Sequence, residues 1–162
     1  MKNKDINIKI DDYTLNCRSV AIIINNNQIL FQKKEKDKYW ALPGGKISLG
    51  ETTVTALERE LKEELGLTNY KVESPILIAE HFFNFNQEKV HQYIFGHLVL
   101  LDTKEYIFNT NEFKGIEKDK DIIFKWINMN DLTNTKIKPD FLITELINID
   151  KKEIKFISYK EL

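Results

Sequence analysis

With a single cysteine, Cys17, the chain can close no internal disulfide, and a lone thiol fits a reducing compartment better than a secreted one. Prolines number three and glycines six, too few for a flexible linker or a low-complexity tract. An excess of either charge is missing as well. The 24 basic and 25 acidic residues are interspersed and leave a net charge of −1, which removes the electrostatic basis for gripping duplex nucleic acid or a membrane surface. Apolar runs are short: "VAIII" at Val20 to Ile24 falls far below the roughly 18 residues that span a bilayer. The opening "MKNKDINIKIDD" alternates charge with isoleucine and lacks the apolar core of a signal peptide. These absences leave a cytoplasmic protein without a membrane or duplex partner as the expectation. A chain of 162 residues can bury roughly 70% of its unfolded surface, so one domain over residues 1–162 is expected, with a core from about 18 to 148.

What is present reads as strands around a helix. "RSVAIIINNNQILFQKK" predicts a hairpin turning at Asn25 to Asn27, and its consecutive apolar positions predict a first strand covered on both faces. In "KYWALPGGK", Pro43, Gly44 and Gly45 break regular structure and let backbone approach a ligand. Thr52 to Leu65 switches to a helical period, and Gly66 is placed to close the helix as a left-handed cap. "PILIAEHFFNF" and "VHQYIFGHLVLL", joined by "NQEK", predict a second, longer hairpin, and "DIIFKWIN" a further strand. Short helical pieces are expected after Asp131 or Thr133, while the pattern leaves the tail "KKEIKFISYKEL" open between classes. The order strand-rich, helix, strand-rich, helix predicts a mixed α/β fold.

The helix carries an oddity. Val54, Leu57, Leu61 and Leu65 share one stripe, which can anchor it to a sheet. Glu60, Glu63 and Glu64 share the adjoining one, and like charges at that spacing disfavour an isolated helix by a few tenths of a kcal/mol per pair. A solvated acidic face is the ordinary explanation. A hard divalent cation is the other, because Mg²⁺ prefers carboxylate oxygens and bridges to substrate phosphates.

A longer pattern around the helix bears on the choice. Gly45, five residues, Glu51, seven residues, then Arg59, Glu60, Leu61, Lys62, Glu63, Glu64, Leu65, Gly66 and Leu67 fill all nine specified positions of the pattern G-x5-E-x7-R-E-U-x-E-E-x-G-U, where U is bulky aliphatic. This stretch resembles the signature of the Nudix hydrolases, and an accidental match is on the order of 10⁻¹⁰ per starting position. Outside it the resemblance runs loosely from Arg18 to Leu132, including "WALPGGK". It implies an α/β/α sandwich with a mixed β-sheet and a metal-binding loop-helix-loop. The implied activity is cleavage of a nucleoside diphosphate linked to another moiety, by attack of water on phosphorus, on a small nucleotide-type substrate.

The resemblance further implies metal binding by Glu60, Glu63 and Glu64 with the carbonyl of Gly44, around Mg²⁺ with Mn²⁺ as a substitute. It implies structural support from Glu51 and Arg59, which are otherwise an ordinary surface ion pair. Glu60 and Glu64 are the expected catalytic carboxylates. For the general base, Glu112 and Glu117 both lie in the polar segment before "DIIFKWIN"; the ordinary reading of each is a solvent-exposed loop acid, and Glu117 is the preferred candidate of the two. Arg18 reads first as an ordinary strand-end arginine, and its guanidinium fork, which matches phosphate geometry, makes it the candidate to reach a phosphate. Phe83, with Phe82 and Tyr93, can stack on a base or pack in the core. His81, His91 and His97 show no metal-ligand spacing, and His81 beside Glu80 draws attention. No marker of a particular substrate follows the signature. A non-hydrolytic regulatory module that binds a nucleotide is the alternative, and the intact glutamate set argues against it. The segment Met1 to Asn16 is expected to supply an extra edge strand, suited to a homodimer.

Overall fold

In the computed structural model, residues 4–162 are described. Two tight turns set the large pieces. Strands β1 (Asn7–Ile10) and β2 (Tyr13–Ile22) lead to the short β3 (Ile24–Asn25) and β4 (Gln28–Lys34). Between the last two, Asn26 and Asn27 take φ of 45° and 63°, which makes a two-residue primed turn whose twist suits a hairpin. After β5 (Gly44–Lys46) and helix α1 (Thr53–Leu65) comes the long hairpin of β6 (Tyr70–Phe85) and β7 (Glu88–Leu101). Asn86 and Gln87, at φ 49° and 68°, close it in the same way. Strands β8 (Glu112–Lys114) and β9 (Ile122–Asn128), helix α2 (Phe141–Ile147) and strand β10 (Lys155–Lys160) complete the chain. Short 3-10 turns at Tyr106–Asn109 and Met129–Asn134 connect them.

The strands form two sheets where one was expected. The larger runs β1-β2-β7-β6-β10, with β5 also paired to β2, and the smaller runs β3-β4-β9-β8. In the larger sheet β2 lies parallel to β7, and β10 parallel to β6, while the other pairs are antiparallel. The sheet is therefore mixed, as expected, and the first predicted hairpin is split. Its first strand belongs to the large sheet and its second to the small one, because the chain steps across at Ile23. The tail becomes an edge strand, β10, and β1 is the edge at the other end.

The run Val20 to Ile23 shows why the step can be made. All four residues are at most 6% exposed, and they alternate between two cores. Val20 and Ile22 pack with Phe31, Ile94 and the α2 residues Phe141, Leu142 and Leu146. Ala21 and Ile23 pack with Leu30, Phe124, Trp126 and the α1 residues Leu57, Leu61 and Leu65. A strand buried on both faces needs apolar side chains at every position, so α1 and α2 lie on opposite sides of the sheet layer. The apolar stripe of α1 is tighter than its periodicity suggests: Ala56, Leu57, Leu61 and Leu65 are buried, whereas Val54 stays partly exposed. Leu57→Ala is expected to cost about 2–5 kcal/mol by leaving a cavity, and Val54→Ala less than about 1 kcal/mol, since little area is lost. Urea unfolding of the two variants tests the difference.

Candidate active site

Helix α1 is held at both ends. At its start Thr55 N–H donates to Thr52 Oγ1 at 3.1 Å, Thr52 N–H donates back to Thr55 Oγ1 at 2.9 Å, and Ser19 Oγ on β2 donates to the Thr53 carbonyl at 2.7 Å. At its end Gly66 sits at φ 63° and donates to the Lys62 carbonyl, the left-handed cap that glycine adopts without strain. A loop and a helix fixed this way present their polar side chains in one orientation.

Arg59 ties the loop to the helix. Its Nε and Nη2 meet both oxygens of Glu51 at 2.7 and 2.9 Å, Nη1 meets Glu60 Oε1 at 2.7 Å, and Nη2 also reaches the Lys46 carbonyl at 3.2 Å. Glu51 in turn accepts from Ser48 N–H at 3.0 Å. The Glu51 hydrogen bond raises the Arg59 pKa far above its ordinary value, and the same bond holds Glu51 below the usual carboxylate range. This is a bidentate pair with third and fourth partners, a stronger arrangement than an isolated surface ion pair. Its target is Glu60. Gly45 makes the contact sterically available, because a Cβ there would land on the Glu60 carboxylate.

Glu60 and Glu64 are buried, at 7% and 4% exposure, and point the same way from successive turns. Burial is the main force on Glu64 and the Glu60 charge the next; together they push its pKa up to about 7, against the pull of Lys120. The structure sets Glu63 apart from them. Its side chain is 44% exposed and lies 3.5 Å from Arg59 Nη1, because a step of about 100° per residue turns it off the line of the other two.

A third carboxylate arrives from the loop between β8 and β9. Ile116 N–H donates to the Glu64 carbonyl at 2.9 Å, and Gly115 lets the backbones approach, since a Cβ there would lie 3.1 Å from that carbonyl oxygen. The anchored loop brings Glu117 in through Lys120, whose Nζ stands 3.0 Å from Glu117 Oε2, 3.4 Å from Glu64 Oε1 and 3.8 Å from Glu60 Oε2. Burial works against the Lys120 charge, yet the three carboxylates outweigh it and raise its pKa. Glu117 Oε2 is enclosed and lacks a well-directed hydrogen bond. Glu112, the other candidate, sits on β8, about half exposed and 3.6 Å from Lys125.

The donor set suits a hard divalent ion: buried carboxylates, one with an unsatisfied oxygen, and no sulfur or imidazole. Among the described residues no three such side chains yet converge to coordinating distance, and Lys120 stands between those that come nearest. Gly44, at φ 135°, is held against the Ser19 carbonyl where no Cβ would fit, and its own carbonyl accepts from Gln32 Nε2 at 3.4 Å.

The remaining predicted residues lie on the sheet. Arg18 on β2 is paired with Lys46 on one side and Ile94 on the other. Burial lowers its pKa, while the charges of Glu60, Glu64 and Asp5 oppose that shift. Phe83 shares this sheet face by register, but it stacks on His81 at 4.5 Å, and that ring touches Phe141 and Tyr159. Phe82 and Tyr93 face the other way and flank His91. His81 finds its carboxylate in Glu161 at 3.2 Å, while Glu80 lies 3.6 Å from His91. Sequence reasoning missed Lys120, whose one signal is its place three residues after Glu117. It also missed the buried amide pair in which Gln92 Nε2 donates to Asn16 Oδ1 at 2.7 Å, which only the β2–β7 register brings together.

The chain is similar to known proteins. The NUDIX domain model matches residues 15–144. The 8-oxo-dGTP diphosphatase of Buchnera aphidicola subsp. Schizaphis graminum is 31% identical over 118 residues, 70% of this chain and 77% of that protein. The RNA pyrophosphohydrolase of Blochmanniella pennsylvanica is 32% identical over 136 residues, 74% of this chain and 82% of that one. Among solved structures, a mutator MutT protein from Bacillus halodurans superposes with a TM-score of 0.63, covering 90% of this chain and 91% of its own at 15% identity, a likeness of fold. No helix here is long and apolar enough to cross a membrane among the described residues. A family model that spans most of the chain, on a complete signature folded as a capped loop-helix-loop, makes this protein a member of the Nudix hydrolase family.

Proposed function

We propose that this protein is a Mg²⁺-dependent pyrophosphohydrolase that cleaves a nucleoside diphosphate linked to another moiety, with Mn²⁺ as a substitute ion. The observation that carries the reading is the burial of Glu60 and Glu64 side by side, which Arg59 and Lys120 offset only in part, since the Glu64 pKa is still pushed up to about 7. Glu60, Glu63 and Glu64 would hold the ion, and the Gly44 carbonyl would be a further ligand. When bound, the ion would neutralise charge developing on the phosphate oxygens.

The chain's own residues supply the rest. Arg59, fixed by Glu51, orients the Glu60 carboxylate, so its effect on the reaction is exerted through Glu60. Arg18 offers its fork to a phosphate, and Phe83 an aromatic face near the base. Glu117 takes the proton of the attacking water. One oxygen–phosphorus bond forms, the bridging phosphorus–oxygen bond breaks, and the products are a nucleoside monophosphate and the phosphorylated remainder. The relatives at about 30% identity are named for 8-oxo-dGTP and for RNA, which makes these the substrates to assay first.

Product release from nucleoside triphosphates, oxidised nucleotides, triphosphorylated RNA, ADP-ribose and nucleotide-sugars tests the reading with Mg²⁺ or Mn²⁺. One substrate class is expected to turn over, and Glu64→Gln to lower kcat about a thousandfold, or ~4 kcal/mol of transition-state stabilisation. A wild-type protein inert on all of them, yet stabilised by one nucleotide, would favour the binding module instead.

A second expectation concerns the metal-free protein. Glu64 titrates near 7 when folded and near 4.3 when unfolded, so the folded state holds the extra proton between those values. Stability from this group is present below the lower value and lost as pH rises through the upper one. With chelator present, the melting temperature of the wild type is expected to fall relative to Glu64→Gln between about pH 4.5 and 7.5. Parallel thermal scans of the two proteins across that range check it.

A further inference from the structure

Lys120 belongs to no motif, yet it is the group that touches all three carboxylates of the site. Its ammonium lies within 3.8 Å of Glu60, Glu64 and Glu117, which come from two separate elements, α1 and the loop after β8. The side chain is 39% exposed, so it can swing into solvent without disturbing the core. A Mg²⁺ ion takes oxygen ligands at about 2.0–2.1 Å and carries twice the charge. An ammonium amid the same oxygens and such an ion cannot share the space.

We propose that Lys120 occupies the divalent-cation seat in the metal-free protein and yields it when the ion binds, and that this exchange also frees Glu117. The inference rests on Glu60 and Glu64 being metal ligands, as proposed above. Three consequences follow from the geometry. The metal-free site stays assembled, because its buried carboxylates have a partner. Ion binding is weakened by the contacts that Lys120 gives up, since an equilibrium shifts only by the difference between what is lost and what is gained. Glu117 remains tied at 3.0 Å until then, and the turn in which Lys120 N–H donates to the Glu117 carbonyl at 3.3 Å keeps lock and base on one short loop. The base is thus released together with arrival of the ion.

The test uses Mn²⁺ alone, without nucleotide, titrated into chelator-treated protein and read by calorimetry and by melting temperature. Lys120→Met keeps the apolar stem and removes the charge. Its Mn²⁺ dissociation constant is expected to be about tenfold lower than that of the wild type. Its melting temperature without metal is expected to be lower, and the gap to close at saturating Mn²⁺. Lys120→Arg keeps the charge and is expected to bind Mn²⁺ no more tightly than the wild type. If Lys120→Met folds only when Mn²⁺ is present, the proposal is supported in its strongest form; failure to fold even at saturating Mn²⁺ counts against it, because the ion should then replace the lost charge. Unchanged or weaker Mn²⁺ binding by Lys120→Met overturns the role of Lys120 and leaves the metal site standing. A wild type that binds no Mn²⁺ overturns both.

Discussion

Two neighbouring carboxylates resist being taken out of water together, and the rest of this site is organised around that resistance. Glu60 and Glu64 lose solvation on α1 and repel each other, a combination whose penalty amounts to several kcal/mol per ion unless partners compensate. Compensation comes from two directions. Arg59 meets Glu60 on the same helix and is itself gripped by Glu51 of the signature loop, while Lys120 approaches from the far side on the loop before β9. Glu64 absorbs the remainder by holding its proton up to about 7. Two glycines make the crowding geometrically feasible: Gly45 leaves room for the Glu60 carboxylate, and Gly115 for the Glu64 backbone.

The parts of this arrangement that are local in the chain were legible in the sequence. The period of Thr52 to Leu65 announced the helix, and its caps appear at Thr52 and Gly66. Glu51 and Arg59, eight residues apart, were legible as a pair only through the family spacing. Where prediction failed, the cause was long-range. Nothing in "RSVAIIINNNQILFQKK" says that β2 and β4 belong to different sheets, because that depends on β7 and β9, whose strands lie some seventy to a hundred residues away. The tail became a strand by pairing with β6, again a distant partner. Burial, which spacing along the helix does not reveal, leaves Glu63 more exposed than Glu60 and Glu64. Lys120 reads as an ordinary loop lysine until Ile116 is seen bonded to Glu64.

Strand alternation sorts the aromatics in a way that composition cannot. Phe82 and Phe83 are adjacent in sequence and lie on opposite faces of the sheet, one with His91 and Tyr93, the other with His81, Phe141 and Tyr159. Period-two geometry allows only one of the pair to share a face with Arg18. By the β2–β7–β6 register that residue is Phe83. The same face carries the buried Asn16–Gln92 amide pair, two residues along β2 from Arg18, or about 6.6 Å.

This division explains why a short motif identifies a reaction type more readily than a substrate. Glu60, Glu63 and Glu64 stand on one helix that Arg59 ties to Glu51 of the preceding loop, so their geometry is carried by some twenty consecutive residues of the signature. The sheet face beside them is assembled from β2, β7, β6 and β10, with α2 laid across it through Phe141. Each of those elements contributes alternate residues, and a shift of one position in any register would exchange the face for its opposite. A change at Glu51, Arg59 or Gly45 reaches the glutamates directly, whereas a change on the sheet face leaves them untouched.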